Sequence, residues 1–254
     1  MTEAEWLECT EPERMLKFLR RSTPPARRRG DHRRLGDSYL PDSDYYLPDL
    51  GRKVGLFVCA CFCRGPSKQD VEECLLFQEY EKYCDGLAPW AAVEDAHWNR
   101  IRREEERIAE EDRKNNSVTS VHWMGPSEYF ADPDLMRQAA ERAVGGKNAD
   151  GFAVERRLQC GFVRDIFNPF RPVTIDPAWL TWNDGTVVKL AESICDERAF
   201  DRMPILADAL EEASCTNADI LAHCRQPGEH VRGCWVVDLL LGKEGRPPTR
   251  SDEA

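Results

Sequence analysis

No apolar segment of the chain approaches the roughly 20 residues that a membrane-spanning helix needs. The longest apolar run, at residues 54–63 (VGLFVCACFC), is too short and is typical of a buried element. The opening residues, MTEAEWLECTEPER, are acidic and lack the basic and then apolar layout of a signal peptide. We therefore expect a cytoplasmic protein without a membrane segment.

Short catalytic and metal-binding motifs are also missing. The sequence contains no phosphate-binding loop, no dinucleotide-binding fingerprint and no HExxH motif. It also lacks a CxxC pair, although close-spaced ligand pairs are typical of structural zinc modules. These absences exclude the enzyme classes that such motifs mark, and they favour a non-enzymatic protein.

Positive charge is scarce relative to negative charge. Lys and Arg total 35 against 46 Asp and Glu, which gives a formal net charge of −11. Nucleic-acid binding depends on neutralising phosphates, so a general nucleic-acid binder is not expected. One stretch, at residues 20–34, is basic and departs from this balance. Its arginines are Arg20, Arg21, Arg27, Arg28, Arg29, Arg33 and Arg34. The composition of this stretch is typical of a solvated linker.

Cysteine, by contrast, is abundant, with 11 residues in 254. A disulfide framework is typical of small secreted domains, whereas this chain is large enough to build a core and shows no export signal. Cysteine packs like a small hydrophobic residue. The composition therefore predicts a cysteine-rich protein with reduced, mostly buried thiols.

The hydrophobic periodicity predicts a mainly α protein with a bundle-like helical array, and it allows two packed helical subdomains. The divisions are N-terminal helices at 1–21, a partly disordered loop insertion at 22–52, a helical subdomain at 53–167, an ordered Pro- and Trp-rich connector at 168–183, a C-terminal helical module at 184–242 and a disordered tail at 243–254. The element at 53–63 fits either a strand or a helix. Asp132 and Pro133 predict the start of another helix, and the last helix is expected to run from His230 or Val231 to Leu241.

The two ends of the chain resemble an uncharacterised bacterial family that occurs as many paralogues in some large genomes. The C-terminal match begins NPFRPVTIDPAWLTW, continues through LADALEEASC and ends HVRGCWVVDLLLGK. The N-terminal match consists of MTEAEWL and LFVCACFCR. This resemblance implies family membership but brings no known activity, fold or ligand.

The richest candidate metal site lies near the C-terminus. Zinc takes four Cys or His ligands in structural sites, and we select Cys215, Cys224, His230 and Cys234. His230 and Cys234 are four residues apart, so on a helix both would face one ion. The ligand at the end of the preceding helix would be Cys224, because the adjacent His223 points elsewhere. The CACFC run is a second possible soft-metal site.

A nucleophilic reading of the same region is the less favoured alternative. His230, Cys234 and Asp238 follow one another at spacings of four and supply a base, a thiol and a carboxylate. A reactive thiolate needs an accessible, electropositive setting, whereas the neighbours here are apolar. A buried Asp238 held by a partner on another helix is the simpler interpretation.

Three functional hypotheses follow. The first is a non-enzymatic helical protein-interaction module that uses the charged helix at 99–114 or the insertion at 22–50 as its binding surface. The second is a zinc-binding or thiol-based protein centred on residues 215–238. The third is a protein that contacts nucleic acid through residues 20–34.

Overall fold

A computed structural model describes residues 1–22, 51–62, 71–121 and 149–243. The described ranges contain helices and no strand, which confirms the prediction of a mainly α fold. Several predictions lie outside these residues: most of the insertion at 22–52, the helix beginning at Asp132 and the tail from residue 244 onward. None of the described helices combines the length and the apolar character that crossing a membrane requires.

The helices are labelled in chain order over the described part of the chain. Their bounds are α1 Glu3–Glu8, α2 Pro12–Ser22, α3 Gly51–Phe62, α4 Val71–Cys84, α5 Trp90–Asn115, α6 Ala149–Ile166, α7 Pro177–Thr181, α8 Thr186–Glu197, α9 Met203–Glu212, α10 Ala218–Arg225 and α11 Trp235–Leu240. Short 3-10 turns at Trp182–Gly185 and Phe200–Arg202 precede α8 and α9. The sequence fits either a strand or a helix at 53–63, and the structure shows a helix there, α3.

The chain forms two compact units. Among the described residues, 1–22 and 149–243 form one unit, and 51–62 and 71–121 form the other. This division differs from the predicted one, which placed residues 149–167 in a subdomain with 53–148. The physical reason is that α6 packs against α2, while Asp165 near its end contacts His223 and His230, so α6 shares a unit with the N-terminal and the C-terminal helices.

The N-terminal helices are fixed to α6 by side chains that reach from it. Thr2 caps α1 with a capping box: the Thr2 hydroxyl oxygen accepts from the backbone N–H of Glu5, and the Glu5 carboxylate accepts from the backbone N–H of Thr2. At the end of α6, the Arg164 guanidinium donates hydrogen bonds to the carbonyl oxygens of Trp6 and Cys9, with Nη2 at 2.9 and 2.6 Å. These carbonyls close α1, so Arg164 satisfies acceptors that a helix end leaves without partners.

The C-terminal helices surround one apolar core. Val187 and Ile194 from α8, Leu206 and Leu210 from α9, and Val236 from α11 are fully buried in it. Trp179 of α7 lies in the same core at 8% exposure, so an aromatic side chain of the segment at 168–183 packs into it. α10 begins as the sequence indicates, because the Asn217 side chain accepts from the backbone N–H groups of Asp219 and Ile220.

The last helix is shorter than predicted. It begins at Trp235, with Cys234 as its N-cap, and not at His230 or Val231. Gly228 and Gly233 interrupt the preceding segment at φ values of 151° and 92°, which an L side chain rarely adopts. Residues 226–234 therefore form a loop, and this loop presents His230 and Cys234.

In the other unit, a glycine sets how closely α3 approaches α4. A Cβ added at Gly55 would lie 2.4 Å from Cys84 Sγ and 3.3 Å from the Tyr80 ring. Both neighbours belong to α4, which also packs against α5. The α3–α4 contact therefore depends on the absence of a side chain at this position.

We predict that Gly55→Ala destabilises the protein by about 1–3 kcal/mol, because the added methyl group overpacks this contact. Urea unfolding followed by circular dichroism measures the effect. Gly161→Ala is the matched control, since a Cβ at this helical glycine of α6 meets nothing within 4 Å. The control is expected to be neutral or to gain about 0.5–1 kcal/mol from helix propensity. Equal unfolding midpoints for the two variants would contradict the prediction.

Candidate metal centre

Four side chains from separate segments converge inside the unit that contains α6 and the C-terminal helices. Asp165, His223, His230 and Cys234 each offer one ligand atom, and these atoms all lie within 4.8 Å of one another. Asp165 comes from the last turn of α6, His223 from α10, His230 from the loop, and Cys234 caps α11. The group therefore joins helices that are distant in sequence.

The Asp165 carboxylate lies at the centre of this cluster. Its Oδ1 is 2.5 Å from His230 Nδ1 and 3.1 Å from His223 Nε2. Its Oδ2 accepts a hydrogen bond of 2.8 Å from the backbone N–H of Val231. A buried carboxylate is costly without such partners, and here both oxygens have them.

The Cys234 thiol lies against both imidazoles. Its Sγ is 3.2 Å from His223 Nε2 and 3.9 Å from His230 Nδ1. The thiol is positioned by its place at the N-cap of α11, directly after the turn at Gly233. Two nitrogens, one oxygen and one sulfur thus face a common centre.

The surroundings shift the carboxyl and the thiol in opposite directions. Burial by itself would raise the pKa of Asp165, but the hydrogen bonds and charges of His223 and His230 outweigh it and lower that pKa below its ordinary value. Burial, reinforced by the negative charge of Asp165, raises the pKa of the Cys234 thiol well above its ordinary range. Without a cation, the centre therefore contains a carboxylate beside a neutral thiol.

The donor set fits a divalent cation in charge and in size. A thiolate and a carboxylate together carry two negative charges, so with two neutral imidazoles they neutralise a divalent ion in a buried site. Zinc bond lengths of about 2.0–2.3 Å place tetrahedral ligand atoms about 3.3–3.8 Å apart. Four of the separations between the ligand atoms, at 2.5, 3.1, 3.2 and 3.9 Å, bracket this range.

The centre is closed to solvent. The side chains of Asp165, His230 and His223 are 2%, 5% and 8% exposed, and Cys234 is fully buried. Catalytic zinc sites keep one position for water or substrate, whereas structural sites have four protein ligands. The arrangement has the character of a structural site.

The structure brings together two of the four residues that the sequence suggested. His230 and Cys234 belong to the cluster, whereas Cys215 and Cys224 are buried in the neighbouring core. Asp165 was missed, and His223 was set aside in favour of Cys224. The geometry of α10 explains why His223 and not Cys224 belongs to the cluster. Adjacent side chains on a helix point in different directions. His223 faces the centre, whereas Cys224 faces the core.

The alternative set of His230, Cys234 and Asp238 is not the group that converges. Asp165 occupies the place beside His230 and Cys234 that was assigned to Asp238. In a nucleophilic triad the thiol and the carboxylate approach opposite nitrogens of the imidazole. Here Asp165 and Cys234 both approach His223 Nε2. This arrangement suits shared coordination better than proton relay.

Comparisons with known proteins provide no assignment. No family model matches the chain, and neither the curated proteins nor the solved structures include a match to it. The resemblance to a bacterial paralogous family therefore stays a prediction from its motifs. Function has to be argued from the chemistry of the centre.

We predict that the buried thiols of the reduced protein react slowly. Burial raises the pKa values of Cys84, Cys160 and Cys224 to about 12, so few thiolates form at pH 8 and reagent access is poor. Iodoacetamide labelling with peptide mass spectrometry should leave these positions largely unmodified in native protein. Denatured protein, labelled in urea for the same time, is the control and should react fully. Rapid native labelling of Cys224 would show that this part of the core is open.

Proposed function

We propose that the protein is a helical zinc-binding protein in which Asp165, His223, His230 and Cys234 hold one structural zinc ion. The observation that carries this proposal is the convergence of one carboxylate, one thiol and two imidazoles at a buried point. Buried polar side chains are usually paired one to one, whereas four metal-ligating groups facing one centre are characteristic of coordination.

The zinc ion would link segments that otherwise meet only through packing and hydrogen bonds. It would join the end of α6, the last turn of α10, the 226–234 loop and the start of α11. Since the unfolded chain offers no preformed site, the free energy of metal binding would add to the free energy of folding. The protein's role in this proposal is structural: zinc stabilises the arrangement of the C-terminal helices.

The mixed donor set favours zinc over other biological cations. A thiolate is a soft ligand that calcium and magnesium avoid, and both of these ions prefer six or more oxygens. Imidazole and thiolate together suit zinc, which also accepts carboxylate oxygen. Zinc is almost always tetrahedral in structural sites. Cobalt(II) offers a spectroscopic substitute because it enters similar tetrahedral sites.

We predict that the full chain, purified reduced from zinc-containing medium, carries about one zinc ion per chain by elemental analysis. Asp165→Asn, His223→Gln, His230→Gln and Cys234→Ser should each weaken zinc binding by at least about 100-fold, because each removes one of four ligands. Cobalt-loaded wild-type protein should show the absorption of a tetrahedral thiolate complex. Removal of zinc from the wild-type protein with a chelator should lower the melting temperature of the protein.

Cys215→Ala and Cys224→Ala are the matched controls. Both cysteines are buried in the same unit, and both were ligands in the set suggested by the sequence. In the structure-based proposal these two variants retain zinc although they lose stability. Loss of zinc in the controls with retention in Asp165→Asn and His223→Gln would restore the sequence-based set. Absence of zinc and cobalt binding in the wild-type chain would refute the proposal altogether.

The structure shows no contact among the described residues that specifically supports the predicted protein-binding surface at residues 99–114. This half of α5 is largely exposed, and several of its charges are paired within the helix. Arg107 contacts Glu104 and Glu111, and Lys114 contacts Glu110. Such pairs are typical of a solvated helix. Partner binding through this surface stays a prediction from the sequence.

A further inference from the structure

Two neighbours hold His223 on the side of its ring that faces away from Asp165. The Trp235 indole nitrogen lies 3.0 Å from His223 Nδ1, and the two ring centroids are 4.9 Å apart. The side-chain amide nitrogen of Gln226 lies 3.2 Å from the same Nδ1. An indole N–H is only a donor. His223 Nδ1 therefore accepts this hydrogen bond and must present a lone pair.

The other nitrogen of His223 then carries the proton. A neutral imidazole has a single N–H, and with Nδ1 accepting, that N–H is at Nε2. The groups that face Nε2 agree with this placement, because Asp165 Oδ1 at 3.1 Å is a hydrogen-bond acceptor and Cys234 Sγ lies at 3.2 Å. Both sides of the ring thus select the Nε2–H tautomer of His223.

Zinc coordination requires the opposite tautomer. The metal takes the lone pair of His223 Nε2, so Nε2 releases its proton to solvent and Nδ1 takes one up, and the imidazole stays neutral. The new Nδ1–H would then point at the Trp235 N–H, which places two donors against each other. Metal-ligating histidines almost always donate their second N–H to an acceptor.

Gln226 offers such an acceptor. Its amide oxygen and nitrogen exchange places by a half turn of the side chain, which brings the oxygen to His223 Nδ1. Gln226 is exposed and follows α10 directly, so this rotation needs no rearrangement of the core. Trp235, in contrast, is buried and has to withdraw its indole N–H from the imidazole.

We propose that Trp235 and Gln226 set the tautomer of His223 and thereby control zinc affinity, an inference that rests on the proposed zinc site. Trp235 stabilises the metal-free tautomer and opposes binding. The amide oxygen of Gln226 stabilises the metal-bound tautomer and supports binding. Neither residue contacts the ion, so both are positioning residues that act through the Nδ1 atom of His223.

The tautomer can be measured on the wild-type chain without any substitution. Long-range proton–nitrogen correlation spectra of ¹⁵N-histidine-labelled, chelator-treated protein should show His223 as the Nε2–H tautomer. Addition of zinc should convert it to the Nδ1–H tautomer, and the indole N–H signal of Trp235 should shift with it. An Nδ1–H tautomer in the metal-free protein would overturn the inference.

Zinc competition titrations then test the control of affinity. Trp235→Phe should bind zinc about tenfold more tightly, because the opposing donor is removed, and Gln226→Leu should bind about tenfold more weakly. Gln226→Glu, whose carboxylate only accepts, should restore or exceed wild-type affinity. Trp179→Phe is the matched control, since Trp179 is 8% exposed and Trp235 5% exposed in the same core; its zinc affinity should equal that of wild type.

The outcomes separate this inference from the zinc proposal itself. A wild-type chain that binds neither zinc nor cobalt removes the proposed function. A wild-type chain that binds zinc, with equal affinities for Trp235→Phe and Trp179→Phe or for Gln226→Leu and Gln226→Glu, removes the inference and leaves the site standing. If Trp235→Phe does not fold, the tautomer spectrum of the wild-type chain and the Gln226 pair decide the question.

Discussion

The buried carboxylate of Asp165 is the constraint on which the C-terminal half of the structure depends. Almost the whole side chain is removed from water, and a buried charge is stable only when hydrogen bonds replace its hydration. Those bonds come from His223 on α10 and from His230 and the backbone of Val231 in the loop. The position of the loop and of α10 relative to α6 is therefore fixed by one anion.

The last turn of α6 also fixes the N-terminal helices through hydrogen bonds. Arg164 precedes Asp165 and projects to a different side of the helix, where it donates to the carbonyl oxygens of Trp6 and Cys9. Two consecutive residues of opposite charge thus bind two separate parts of the chain. This explains why α1 and α2 share a compact unit with residues that follow them by more than a hundred positions.

The helices could be predicted from the sequence because their signals are local. Apolar spacing near 3.6 and the N-cap at Asn217 mark their positions. The candidate metal centre could be predicted only in part, for the same reason. His230 and Cys234 are close in sequence, whereas Asp165 lies 65 residues earlier than His230 and resembles any charged residue near a helix end. The side of α10 that faces the centre depends on tertiary packing, so the choice between His223 and Cys224 required coordinates.

The composition of the cluster argues against a purely hydrogen-bonded role. Asp165 with two histidines would already satisfy its charge, and a neutral thiol adds only a weak hydrogen bond. Coordination of a divalent cation would give the thiol a strong partner, because a bound ion turns the thiol into a thiolate ligand.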